Sequence, residues 1–135
     1  MTRFEKSKLI GINWTQGNWS NLGFEKPKSF SECVLNHGTF IGIDLSGVEM
    51  KDCIAVDVDF RETNLSKVMF GKTDLSKSVF GNTNLSEADL RCARNYDIDL
   101  SQNNVKRTKF TMPEAFALLY SMDIELEENG DIECG

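Results

Sequence analysis

A period of five residues constrains this chain more than any other feature. From Phe30, every fifth residue reads Phe30, Leu35, Phe40, Leu45, Met50, Ala55, Phe60, Leu65, Phe70, Leu75, Phe80, Leu85, Leu90, Asn95, Leu100, Val105 and Phe110. Only Ala55 and Asn95 in this column are not large and apolar. Phe4, Leu9, Trp14, Trp19 and Phe24 keep the same period in a shifted frame, which one extra residue near Pro27 would explain. Two positions before each centre runs a second column of small or medium uncharged residues, among them Cys33, Gly38, Cys53, Val58, Thr63, Thr83 and Thr108. The remaining three positions hold nearly all the charge.

Neither regular element accounts for this pattern. A helix would smear a period of five around its surface, and a flat strand would send successive centres to opposite faces. Two inward positions in every five fit a coil whose path turns a corner every five residues. Residues 20 apart should then lie above one another. Phe40, Phe60 and Phe80 form one such interior ladder, continued by Leu100, and Leu45, Leu65 and Leu85 form another. Outside the second ladder, Asp44, Asn64, Asn84 and Asn104 stack, as do Ser46, Ser66 and Ser86. Small polar residues at fixed offsets suit tight turns, because their side chains bond nearby backbone groups.

Four segments carry a family resemblance: Thr63-Asn64-Leu65-Ser66-Lys67, Thr73-Asp74-Leu75-Ser76-Lys77, Thr83-Asn84-Leu85-Ser86-Glu87 and Ala88-Asp89-Leu90-Arg91-Cys92. They resemble the A(D/N)LXX motif of pentapeptide-repeat proteins, and the resemblance runs from about Phe4 to Phe110. It implies an all-β solenoid, a right-handed quadrilateral β-helix with 20 residues per coil and about five coils, closed by a C-terminal capping α-helix. The expected organisation is a repeat domain over 1–110 with its frame shift near 25–29, a capping and dimerisation helix over 111–122, and an acidic tail over 123–135.

An open coil end exposes unpaired backbone and needs a cap. Thr111 to Glu114 reads as a capping box with Pro113 in the first turn. Beyond it, Ala115, Leu118, Leu119 and Met122 share one helical face, and Phe116 and Tyr120 lie on another flank. Such a helix has more apolar surface than one coil end covers. The expectation is a homodimer through Phe116, Leu119, Tyr120 and Met122, and the resemblance implies the same. Asp123 to Glu127 alternates and suggests a short edge strand. At the N-terminus, Trp14 and Trp19 either close the first coil or mark the place of a lost preceding domain.

Charge excludes some partners. The net charge of −6 arises from six acids between Ser121 and Gly135, which leaves the first 120 residues neutral. No basic face for direct nucleic-acid binding is present. No stretch approaches 18 apolar residues, so no membrane association is expected. Four irregularly spaced cysteines without a signal peptide point to a reducing, cytoplasmic compartment. Cys33 and Cys53, 20 apart, should stack as reduced core thiols, although their spacing would also permit a disulfide. His37, the one histidine, falls on an outward position with no ligand at metal spacing. No catalytic, metal-ligating or cofactor-binding motif is found, so no cofactor is expected.

The expected function is therefore that of a non-enzymatic interaction or scaffolding module with a protein partner. The resemblance also implies an alternative. The best characterised pentapeptide-repeat proteins, of the Qnr and MfpA quinolone-resistance type, bind DNA gyrase or topoisomerase IV, some by imitating duplex DNA. This chain is shorter, neutral in its body, and on the frame count lacks a long projecting loop.

Overall fold

A computed structural model describes residues 2–16, 26–119 and 122–125. The order of elements is β1 (Arg3–Glu5), a 3-10 turn (Trp14–Gln16), β2 (Ser29–Ser31), β3 (Glu49–Lys51), β4 (Met69–Gly71) and α1 (Phe116–Leu119). The four strands form one parallel sheet in sequence order. Parallel neighbours that are consecutive in sequence require the chain to wind completely round between them, as a β-helix does. Single bridges extend the pairing to the other sides: Val34 to Ile54 to Asp74 to Arg94, Thr39 to Asp59 to Val79, and Asp44 to Asn64 to Asn84 to Asn104. Four bridged positions in each 20 residues give the coil four sides. We number them by their centres: the first carries Phe30, Met50 and Phe70; the second Leu35, Ala55 and Leu75; the third Phe40, Phe60 and Phe80; the fourth Leu45, Leu65 and Leu85.

The corners come from the backbone. The residue two places after a centre lies in the left-handed region at Glu32, His37, Asp52, Asp57, Glu62, Lys67, Lys72, Lys77, Asn82, Glu87 and Cys92, with φ between 49° and 68°. Gly42 and Gly47 occupy two further corners at φ 74°. Such a conformation is unfavourable for a residue with a Cβ, and the coil offsets it with bonds between turns. Glu62 N–H, for example, donates to Gly81 at 2.8 Å, and Lys67 N–H to Ser86 at 3.0 Å. Ahead of several corners an Asp or Asn side-chain oxygen accepts the N–H two residues on, as Asp44 does from Ser46, Asn64 from Ser66 and Asn84 from Ser86.

Both inward columns are buried. Phe40, Phe60, Leu45, Leu65 and Leu85 are fully enclosed, and Phe80 nearly so. On the third side Trp14, Phe40, Phe60 and Phe80 stack face to face with centroid spacings of 5.3, 5.6 and 5.4 Å. Trp14 is thus part of the interior, edge-on to Phe4 and Phe30. Gly38 makes room for it: a Cβ there would lie 3.5 Å from the indole nitrogen and 3.1 Å from the Ile12 carbonyl. The second column explains its hydroxyls. Thr63, Thr73, Ser78 and Thr83 are buried, and each donates to the centre carbonyl one coil below: Phe40 at 2.8 Å, Met50 at 3.1 Å, Ala55 at 2.6 Å and Phe60 at 2.7 Å. Cys33 and Cys53 stand in the same places, with thiols toward the carbonyls of Phe4 and Phe30.

Four expectations are corrected. First, the shifted frame is not one extra residue. Phe4 pairs with Phe30, 26 positions on, and Asn13 with Thr39 likewise, whereas Phe30 pairs with Met50 at the regular 20. The first turn of the coil is six residues longer. The 26-residue offset still holds at Asn13 with Thr39, and the regular 20 holds from Ser29 with Glu49 onward. Second, Asn95 is not an inward centre. It forms an early corner at φ 61° and is exposed, while Tyr96 fills the interior. Third, among the described residues of the expected helix over 111–122 only Phe116–Leu119 form α-helix, residues 120 and 121 lying outside them, and the Thr111 hydroxyl accepts from Cys92 N–H at 3.3 Å. Residues 112–115 form turns, and the amides of Phe116, Ala117 and Leu118 bond carbonyls three residues back. Among the described residues of this segment only Leu118 is buried, so little packing supports a longer helix over residues 112–115. Fourth, Asp123 to Glu125 form no strand, and the remaining residues of that expected strand, 126 and 127, lie outside the described residues. Trp19, Phe24, Tyr120, Cys134 and the tail from residue 126 lie outside the described residues.

Candidate interaction surface

The coil leaves three outward positions in five, and these hold the chemistry a partner would meet. On the third side Arg61 forms a two-pronged pair with Asp59, with Nη2 to Oδ2 at 2.8 Å, and on the first Arg91 does the same with Asp89 at 2.7 Å. These guanidinium bonds hold both carboxyls below the usual aspartate range, against a smaller opposing effect of burial. Lys26 pairs with Asp44 at 3.6 Å and Lys6 with Glu32 at 3.9 Å. Opposite charges therefore alternate within and between turns, and no side among the described residues presents an unbroken acidic stripe.

His37 gains a neighbour that reading along the chain missed. Its Nδ1 lies 2.8 Å from Asp57 Oδ2, 20 residues on and directly above it. The offset of one coil is the signal that could have found the pair. Among the described residues no group of three or more His, Cys, Asp or Glu side chains is placed to hold a metal. Cys33 and Cys53 are buried free thiols, and burial above all pushes Cys53 up to about 11, so its thiolate is suppressed at neutral pH. Cys92 is exposed at the rim of a shallow groove on the first side, where Gly71 leaves a gap between Lys51 and Arg91.

Met69 and Val79 are exposed singly on the first and third sides, and apolar side chains gather in two further places. At the C-terminal end Met112, Phe116, Met122 and Ile124 are 60, 47, 56 and 43% exposed. Of the expected dimer residues, Phe116 and Met122 are thus at the surface, Leu119 is half-buried, and Tyr120 is not described. Beneath this end Tyr96 packs on Phe110 at 5.6 Å, its buried hydroxyl without a hydrogen-bond partner among the described residues; burial and then Glu114 raise its ionisation range. The second place is the second side, where Ile10 and Ile54 are exposed beside half-buried Val34 and Val56. The outward positions had read as the ones that hold the charge, and this patch was missed because Ile10, Val34 and Ile54 stand 20 or more residues apart. No helix among the described residues is long and apolar enough to cross a membrane.

Comparison with known proteins bears on the coil itself. Residues 25–90 match the family model of the pentapeptide repeat region. No curated protein matches the sequence. Among solved structures, HetL, a pentapeptide repeat protein involved in heterocyst differentiation regulation from the cyanobacterium Nostoc sp. strain PCC 7120, superposes with a TM-score of 0.55 at 17% identity. That match covers 79% of this chain and 44% of HetL, so this chain spans less than half of its relative's length. Rfr23, a pentapeptide repeat protein from the cyanobacterium Cyanothece 51142, aligns over 82% of this chain and 88% of its own at 17% identity and a TM-score of 0.35. Full-length QnrB1, a plasmid-mediated fluoroquinolone resistance protein, aligns over 91% and 81% at 19% identity and a TM-score of 0.33. With the five-residue corners and the 20-residue parallel register, the match assigns residues 25–90 to the pentapeptide-repeat family.

Proposed function

We propose that this chain is a non-enzymatic protein-interaction module: a right-handed quadrilateral β-helix of about five coils, closed by its C-terminal segment and paired with a second copy there. The observation that carries the reading is the exposed apolar cluster of Met112, Phe116, Met122 and Ile124 at the end of the coil. Several exposed apolar side chains within one short segment at the end of the coil are the usual mark of an interface. The rest of the chain's chemistry is committed to the coil: hydroxyls to centre carbonyls, Asp and Asn to turn amides, and the thiols of Cys33 and Cys53 to the interior.

Sedimentation equilibrium tests it. A dimer at tens of micromolar that Phe116→Ser converts to monomer is the expected result; a wild-type monomer over that range overturns the C-terminal pairing. The paired charges Asp59–Arg61 and Asp89–Arg91 favour a scaffold over an imitation of duplex DNA. Gyrase supercoiling should accordingly be neither inhibited nor protected from a fluoroquinolone, and protection would replace the scaffold reading with topoisomerase binding.

A further inference from the structure

We infer that the second side of the coil is a self-complementary surface on which a second copy of this chain docks face to face, separately from the C-terminal end. The argument starts from one ladder of outward residues, Lys8, Val34, Ile54, Asp74 and Arg94, bridged in that order on successive turns. Its first four members read cation, apolar, apolar, anion. A two-fold axis along the strand direction, passing between Val34 and Ile54, reverses the order of turns but keeps each column facing its own equivalent. It sets Lys8 of one copy over Asp74 of the other, and Val34 over Ile54. The neighbouring column places Asn36 over Val56, and Ile10 over Ser76. The corner column brings His37 over Asp57, which already pair within one chain at 2.8 Å. A two-fold axis along the coil direction would instead lay Lys8 over Ile10 and Asp74 over Ser76, with no charge pairing. Isologous contacts need a surface that complements itself, and only the first arrangement supplies one.

The groups involved are free to act. Ile10 and Ile54 are 53% and 43% exposed. Lys8 has no partner among the described residues, and the hydrogen bonds recorded on Asp74 all fall on Oδ1, from Ser76 and Asn95. Within one chain Lys8 and Asp74 are three turns apart, about 14 Å at about 4.8 Å per strand, too far to pair. The face is small, so the contact belongs to the weak class of interfaces and should appear at hundreds of micromolar.

The test uses the full chain carrying Phe116→Ser, which removes the proposed C-terminal pairing and leaves the second side intact. Sedimentation equilibrium to about 1 mM should show residual dimer. Ile54→Lys, at an exposed position, should abolish it. Lys8→Gln and Asp74→Asn should each weaken it by about two- to fivefold, as an exposed ion pair does, and the double variant should lose no more than either alone. Asn keeps the turn bond to Ser76, as Asn64 and Asn84 show with their own serines. A strictly monomeric Phe116→Ser chain, an Ile54→Lys variant that still associates, or additive effects of the two charge variants would overturn the second-side contact. Failure of the C-terminal reading shows differently: Phe116→Ser would then leave the wild-type association unchanged.

Discussion

Truncating Phe60 tests the stacked interior most directly. Its ring is fully buried, stacked on Phe40 at 5.6 Å and 2° and on Phe80 at 5.4 Å and 16°, with Phe70 edge-on at 6.1 Å. A buried Phe removes about 150–250 Å² from water, which at about 25 cal/mol per Å² is ~4–6 kcal/mol for the whole side chain. Alanine keeps a fraction of that, and Phe→Ala changes in cores cost about 3–5 kcal/mol. The upper half of that range is expected here. The rings above and below are held by backbone ladders at Thr39, Asp59 and Val79, so the cavity left by Phe60→Ala cannot close by sliding one turn onto the next. Urea unfolding followed by tryptophan fluorescence measures it, with Trp14 stacked on Phe40 as a reporter inside the same column. If the variant is unfolded in buffer, Phe60→Leu, with an expected loss of about 1–2 kcal/mol, carries the comparison. Phe80→Ala should cost less, since Phe80 is 7% exposed. A loss below about 1 kcal/mol for Phe60→Ala at an unchanged denaturant slope would refute the stacked-column account, as would a larger loss at Phe80.

Three further outcomes follow from the same coil. Gly38→Ala should lower stability by about 1–3 kcal/mol, because its methyl would meet the Ile12 and Leu35 carbonyls at 3.1 and 3.3 Å beside the Trp14 indole; an unchanged melting temperature would contradict that packing. Thr63→Val keeps shape but loses the 2.8 Å bond to the Phe40 carbonyl, which still accepts from Ile43 N–H, so a loss of about 1 kcal/mol is expected in urea, and a gain would mean the hydroxyl is dispensable. Asp59 and Asp89 titrate below the ordinary aspartate value of 3.8 when folded, so both release their protons more readily folded than unfolded. Their contribution is complete above the unfolded value and is lost as pH falls through the folded one, so melting temperature should drop below pH ~4. Combining Asp59→Asn with Asp89→Asn should flatten that drop while keeping the turn bonds; a drop as steep as wild type would place the acid sensitivity elsewhere.

The interior was legible in the sequence because a coil with two inward positions writes itself into every fifth and every third-of-five residue. Phe40, Phe60 and Phe80, or Leu45, Leu65 and Leu85, declare their stacking by spacing alone, and the buried hydroxyls of Thr63 and Thr83 follow from being in the uncharged column. Contacts between turns were less visible because each needs the 20-residue offset applied outside the core. His37 meets Asp57, and Val34 meets Ile54, only once the coil is wound. Asn95 was placed inward by counting, yet Asn is among the residues that tolerate left-handed backbone. A corner at Asn95 releases the larger apolar ring of Tyr96 to fill the core. That substitution leaves the count from Ala93 to Ile98 intact, so periodicity cannot detect it.

The long first turn shows the same limit from another direction. A frame registers insertions only by their remainder on division by five. One extra residue and six extra residues shift the frame identically, because the additional five complete one more repeat and leave Trp19 and Phe24 in phase with Phe4. Only the partners on either side distinguish them: 26 positions from Phe4 to Phe30, against 20 from Ser29 to Glu49. A solenoid tolerates such an excess because each turn contacts only its neighbours, and closing a slightly longer segment costs little entropy. Lys26 is anchored by its bond to Ser46 and its ion pair with Asp44, on the fourth side where the regular ladder of Asp44, Asn64 and Asn84 begins. Breaking that anchor with Lys26→Ala should therefore loosen the first turn while leaving the later ones protected, a difference that hydrogen exchange at the amides of Val34 and Thr39 would resolve from exchange at those of Asn64 and Asn84. Unchanged protection at Val34 and Thr39 would instead mean that the first turn is fixed without this anchor, as by its aromatic stack, and uniform loss along the coil would mean that the anchor does not act locally.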